Sequence, residues 1–370
     1  MIKMFKYEFK KNLKASIIIS VILLAITLLI LSNNSFVGTY DYTGLLSRKW
    51  SVYQNLLKQH ALIVDTGEEF QYPINAPLGI FVFYSIVLSF IYAVIEFSFK
   101  TRKVEVDAMY SLPIKRRSLY MAKFLNGFVN ILIPVIACYI VAVIYIACSY
   151  NLYNMWGFLL YLPILIIFTF LTYSVFAFGF TRGNNVSDGV ITILFIILFT
   201  LMIELYRELT VINFEENYSY GFETIFAPFV YVTNYINDVI NHKEIDFVFA
   251  DHYWNYINIL ISIASFVLFI VLIKNDKAEN AETRTDSWFS YKTFIPLYNF
   301  ILISICGSLI LTVILAAAAY FAYVYKNKSF KIKNHELITL LVSTVLGLLV
   351  TIYISELEYT NIYTFISIYI

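Results

Sequence analysis

An all-α polytopic membrane fold, with a core of six spans followed by two to three additional C-terminal membrane helices, is predicted by three features of the sequence. First, 60% of its 370 residues are hydrophobic and 14% are charged, with a mean hydropathy of +0.74, whereas soluble domains carry about 25% charged residues. Second, apolar runs long enough to cross a hydrocarbon core of about 30 Å recur along the chain, separated by polar stretches. Third, Lys and Arg crowd into alternate polar stretches, the pattern that orients loops across a membrane.

Residues 1–14 set Ile2, Phe5, Phe9 and Leu13 on one helical stripe and Lys3, Lys6, Lys10 and Lys14 on the other side, which predicts an amphipathic helix lying on the inner membrane surface. The core is expected over residues 15–274. Its first span, 15–31, is followed by SNNSFVG, which offers no small-x-small cleavage site, so no cleaved signal peptide is expected. Residues 32–77 form the first outer loop, and 78–99 the second span. Glu96 near the inner end of that span is expected to pair with Lys100, one helical turn on, rather than to relay protons. The third and fourth spans are 125–148 and 157–180, joined by an uncharged outer turn whose Tyr and Trp suit the headgroup region. TRGNNVSD, with Arg182, is a short inner turn.

The fifth span is expected at 190–206, with Glu204 and Arg207 at the spacing of a pair. The loop beyond it, to Trp254, holds eight acidic residues against Arg207 and Lys243 and is placed outside. Within it, residues 222–241 repeat apolar positions at helical spacing but are interrupted by Pro228, Asn234 and Asn237, which predicts a re-entrant or interfacial segment. The sixth span, 257–273, returns the chain to the inner segment KNDKAENAETRTDSWFSYK. Additional membrane helices are expected over 293–354. The apolar run 294–325 would extend about 48 Å as one helix, so it is either strongly tilted or split at Gly307 and Ser308 into a hairpin. Basic segments on both flanks favour the hairpin. Residues 337–354 make a last span and 355–370 an outer, β-prone tail.

The chain is organised around residues 100–123, which hold seven of the 26 Lys and Arg residues between two apolar runs and are therefore placed on the inner side. Val106, Met109, Tyr110 and Pro113 share a helical face, while Lys103 and Asp107 lie one turn apart and can pair. A short amphipathic helix stopped by Pro113 is expected, followed by the basic turn Lys115, Arg116, Arg117. By itself this could be an ordinary positive-inside loop.

The order Glu105, Leu112, Pro113, Ile114, Arg116, Lys123, directly after a second span, resembles the first cytoplasmic loop of ABC-2 type exporter permeases. The basic N-terminal helix and the helical segment between the fifth and sixth spans are similar to that family too, and the C-terminal helices resemble those of some Gram-positive permeases. The resemblance implies a multi-pass subunit of the cytoplasmic (plasma) membrane with its N-terminus inside. It implies a second permease subunit, the same or a sister chain, and a separate ATP-binding subunit docked on this loop. Coupling to that subunit is then expected at Glu105, Asp107, Met109, Tyr110, Leu112 and Pro113. The implied function is ATP-driven export of an amphipathic peptide, lipid-like molecule or drug.

Several chemistries are excluded or unsupported. No G-x-x-x-x-G-K-[ST] occurs, so the chain has no P-loop of its own and is not expected to be an enzyme; ATP hydrolysis falls to the partner subunit. His335-Glu336 lacks a second histidine at zinc spacing, and Glu68-Glu69 has no helical zinc partners. The scattered His60, His242 and His252 support no catalytic set, and Cys138, Cys148 and Cys306 read as small packing residues within apolar runs. No cofactor or metal is implied, and a formal charge of +1 gives no reason to expect nucleic acid. Two other classes stay open: an ion-coupled secondary transporter, and a membrane sensor or assembly protein without transport. The first usually places ionisable residues near the middle of spans, whereas here they sit at span ends.

Overall fold

The computed structural model describes residues 2–32, 78–149, 156–211 and 253–369 apart from a few isolated positions, and part of the stretch 226–236. Every regular element among these residues is helical: α1 (Ile2–Ser32), α2 (Leu78–Phe97), α3 (Lys103–Tyr110), α4 (Arg116–Ser149), α5 (Trp156–Thr181), α6 (Val186–Val211), α7 (Tyr253–Leu272), α8 (Thr293–Cys306), α9 (Leu309–Asn327) and α10 (Asn334–Tyr369). A 3₁₀ turn, Ser98–Thr101, links α2 to α3.

Among the described residues, six helical stretches are long and apolar enough to cross a membrane: Met4–Ser32, Leu78–Thr101, Arg116–Cys148, Gly157–Thr181, Ile310–Asn327 and Asn334–Tyr353. Their outer faces are apolar as well, with Ile18, Leu29, Leu160, Ile314 and Leu349 exposed. A bundle that is oily outside as well as inside is built for lipid rather than water. The chain is thus an all-α, multi-pass membrane protein. Among the residues whose side chains are described, α6 and α7 add the apolar stretches Val186–Phe199 and Tyr256–Leu272.

The core is dense in aromatic rings where α2, α4, α5 and α7 meet. Phe124 stands 4.8 Å from Tyr173 and 5.4 Å from both Phe266 and Phe269, ring centre to ring centre. Buried hydroxyls tie the helices across this core: Tyr161 donates to the Leu78 carbonyl at 3.0 Å and Thr169 to Ser85 at 3.0 Å. With no water available at this depth, such groups must be satisfied inside the protein. The C-terminal helices have their own joints. Asn299 on α8 donates to Ser343 and Thr344 on α10, each at 2.9 Å. Lys326 and Glu336 form a buried 2.7 Å ion pair at the α9–α10 corner.

Several expectations change. Residues 1–14 are not a separate surface helix: α1 runs unbroken from Ile2 to Ser32, with Glu8, Asn12 and Ser16 turned into the bundle. Glu8 pairs with Lys123 of α4 at 2.7 Å, and Ser16 donates to the Asn130 carbonyl. Residues 355–369 are not a tail but continue α10. The run 294–325 divides into α8 and α9; at 14 residues α8 spans about 21 Å, too short to cross alone. The first outer loop, the side chains of Glu204 and Arg207 and most of 222–241 lie outside the described residues. Within 222–241, the described Phe229 and Ile236 are buried, and the Phe229 ring lies 3.8 Å from that of Phe168 on α5.

Candidate functional site

The basic stretch forms a junction at one end of the bundle. Helix α3 stops at Tyr110, just before the turn that leads to Pro113, since the residue ahead of a proline avoids helical geometry. Lys103 does not pair with Asp107. The ion pair on this helix is Arg102–Glu105, at 2.8 Å, and both members are exposed enough that it adds little stability. Lys103 instead gives its backbone N–H to Glu282 Oε1 at 3.1 Å, so a carboxylate from a distant segment caps the start of α3.

The face of α3 expected to dock on a partner is largely used within the chain. Val106 is buried, and Met109 and Tyr110 are half-buried against the core. The Tyr110 hydroxyl shares a 3.0 Å bond with that of Tyr120, and the Arg116 guanidinium covers the Tyr110 ring at 4.5 Å. Burial holds the Tyr110 phenol above its ordinary pKa. The face left open is different: Val104, 82% exposed, with Asp107, Ala108, Ser111, Leu112 and Pro113. Of the six residues singled out from the sequence, Asp107, Leu112 and Pro113 are therefore presented outward. Glu105 is partly covered, and Met109 and Tyr110 turn inward.

Residues 273–292 act as a strap across this junction. Asp276 takes Lys100 at 3.1 Å, and its backbone carbonyl accepts from Arg116 at 2.7 Å. Glu282, which caps α3, donates its own N–H to the Asn184 carbonyl at 3.0 Å from a left-handed backbone (φ 66). That conformation is uncommon for a non-glycine residue and places the carboxylate at α3 while the amide points to the α5–α6 turn. Thr285 then donates its hydroxyl to the Arg182 carbonyl at 2.7 Å and its N–H to Asp188 at 2.9 Å. Asp188 also accepts from Tyr291, at 2.9 Å. Glycines let the α5–α6 turn close: a side chain on Gly183 would strike the backbone of Gly189.

One turn deeper lies a second polar centre. Glu96 does not pair with Lys100. Its Oε1 accepts from Asn12 of α1 at 2.6 Å and from Asn126 of α4 at 2.7 Å. Lys100 has turned away to Asp276 and also donates to the Thr181 carbonyl. Arg182 joins the same group, 3.7 Å from Asp276 and stacked on Phe178. Sequence reasoning gives Asp276, Glu282, Arg182 and Asp188 no role. The signal available is a cationic residue, Lys100, inside the margin of a candidate span, which requires a buried acceptor from somewhere.

Among the described residues, no group of three or more His, Cys, Asp or Glu side chains could hold a metal ion. No protein-family model matches the chain, and comparison with curated proteins and with solved structures yields no match.

Proposed function

We propose that this chain is the membrane subunit of an ATP-driven exporter of the ABC-2 type. It works as a dimer with itself or a sister subunit, with separate ATP-binding subunits on the side of the strap, and its N-terminus is inside. The observation that carries this reading is the open face of α3. Val104 and Ala108 of the eight-residue helix, continued by Leu112 just past its end, present a small apolar strip flanked by Asp107 and Ser111. A short helix of this kind suits a groove on a soluble partner. Force applied to α3 has a route inward, through Glu282 to the strap and from the strap to α2 and the α5–α6 turn. The cargo, an amphipathic peptide, lipid-like molecule or drug, is inferred from the family resemblance and the aromatic α2.

One observation favours a second reading, ion-coupled secondary transport: Glu96 is a carboxylate buried within a candidate span. A single experiment separates the two. The chain is purified with candidate ATP-binding subunits, alongside a variant carrying Ala108→Asp and Leu112→Asp. Docking predicts that the charges lower recovery of the partner by about a hundredfold, as burial of uncompensated charge at a contact does. The melting temperature in detergent stays the same, because neither residue packs in the core. Undiminished recovery of the partner removes the docking assignment. Uptake by liposomes holding the chain alone, driven by an ion gradient, selects the second reading.

A further inference from the structure

In the two polar centres, four atoms of Glu96, Asp276 and Arg182 have no hydrogen-bond partner, namely Glu96 Oε2, Asp276 Oδ2, and Nε and Nη2 of Arg182, and the buried Tyr173 hydroxyl near Glu96 has none either. Such groups are costly to leave unpaired. Two of them already face one another, since Arg182 Nη2 stands 3.7 Å from Asp276 Oδ2, just beyond hydrogen-bonding distance. Lys100 competes for the same carboxylate, 3.1 Å from Oδ1, while held by the carbonyl of Thr181, the neighbour of Arg182. The fourth atom, Glu96 Oε2, is on the same chain segment, four residues before Lys100.

Moving one ammonium would satisfy all four. If Lys100 leaves Asp276, the free Nε–Nη2 edge of Arg182 can close on that carboxylate as a two-pronged fork. Lys100 is then available to Glu96 Oε2. The backbone between them is wound for such a change. Residues Ser98–Thr101 form a 3₁₀ turn, which advances about 20° further per residue than an α-helix and carries Lys100 off the face that Glu96 occupies. Rewinding the turn as α-helix returns the two to neighbouring positions.

A bound solute fits these atoms less well. An anion on Arg182 would meet the Asp276 carboxylate at close range. A cation on Glu96 would find amide N–H groups, from Asn12 and Asn126, on the other carboxylate oxygen. The charged and titratable groups around Glu96 are Glu8 from α1, Tyr92 from α2, Lys123 from α4 and Tyr173 from α5. Glu8 and Lys123 already neutralise each other at 2.7 Å.

We infer that Lys100 exchanges between Asp276 and Glu96 as residues 98–101 rewind, so that the polar centre among α1, α2 and α4 communicates with the strap that caps α3. The strap pivots rather than detaches, because Arg116 holds the Asp276 backbone carbonyl at 2.7 Å independently of the side chain. The exchange is internal to the chain and does not depend on which partner docks on α3.

The test uses the full chain in detergent, with Glu96→Gln and Asp276→Asn singly and together, and the same set on Lys100→Met. The Glu96→Gln variant keeps an oxygen for Asn12 and Asn126 but removes the second site for the ammonium. Amide exchange at residues 98–101 should then slow by at least about fivefold, the conformational escape being closed. In Asp276→Asn the lysine moves to Glu96, so adding Glu96→Gln should lower the melting temperature more than it does alone. With Lys100→Met the two substitutions should simply add. Additive effects with the lysine present, or the same non-additivity without it, would overturn the inference. If Asp276→Asn does not fold, Glu96→Gln alone decides, because unchanged exchange at 98–101 is incompatible with a lysine that moves.

Discussion

Lys123 Nζ lies 2.7 Å from Glu8 Oε1, with both side chains almost completely buried. The pair welds the start of α1 to α4 and makes residues 1–14 part of the bundle. Replacing Lys123 with Met strands the Glu8 carboxylate, which should cost about 3–5 kcal/mol. The double variant Glu8→Gln, Lys123→Met should recover most of that loss. Thermal denaturation in detergent measures both, and a single variant as stable as the parent would show that the pair does not form.

Glu282 combines an uncommon backbone with a capping side chain, and two variants separate these roles. Glu282→Ala keeps the left-handed penalty and loses the cap, so amides at the start of α3 should exchange faster, by an amount corresponding to about 1 kcal/mol. Glu282→Gly also loses the cap but relaxes the backbone, so the strap itself should be firmer than in the Ala variant. Equal exchange at residues 103–106 in parent and Ala variant would rule out capping from this distance.

The two sides of α3 should answer mutation differently. Tyr110→Phe removes the hydroxyl that meets Tyr120 and should cost about 0.5–1.5 kcal/mol of stability. Val104→Asp, on the open face, should leave the melting temperature unchanged. Matched losses in both variants would mean that the assignment of buried and open faces is inverted.

Gly347 lets α10 pass close to α8. A methyl group there would come within 2.9 Å of the Ile303 side chain and 3.1 Å of the Phe300 carbonyl. Because the carbonyl cannot yield as a side chain can, Gly347→Ala should destabilise by about 1–3 kcal/mol, read as earlier melting of this helix pair. A neutral result would show that the helices slide apart freely.

Cysteines introduced at Lys115 and Glu215 test the orientation proposed for the chain. In sealed cells, an impermeant thiol reagent should label position 215 and spare position 115 until the membrane is opened, after the bias of basic residues to the inner side. Labelling of both from outside would overturn the arrangement of loops.

The helices are legible in the sequence because hydropathy is local: the apolar runs 78–99, 125–148 and 157–180 correspond to α2, the apolar part of α4, and α5. The polar partnerships are not, for a physical reason. Spacing of four residues suggests Glu96 with Lys100 and Lys103 with Asp107, yet a charge at the end of a span goes to whichever buried acceptor the tertiary fold supplies. Asp276 and Glu282 stand 176 and 179 positions from Lys100 and Lys103 in the chain, beyond any local pattern. The same holds for α1, whose lysine stripe resembles a membrane-surface helix while its few buried polar residues, Glu8, Asn12 and Ser16, determine its place. On α3, periodicity groups Val106, Met109 and Tyr110 correctly, but it adds Pro113, which lies beyond the helix and is open, and it cannot tell which face the chain itself covers.

At 36 residues, α10 is about 54 Å of unbroken rod, set beside a hydrocarbon layer of about 30 Å. Tilting could hide it completely only at an angle well beyond the roughly 40° that spans adopt. Twenty residues from Asn334 come to about 30 Å, as much as the layer is thick, and Glu356 and Glu358 follow just beyond. A straight rod of this length has more helix than the layer can hold, so its surplus turns must lie at or beyond a membrane face. Any protein or lipid assembly that crowds that side of the membrane must make room for it.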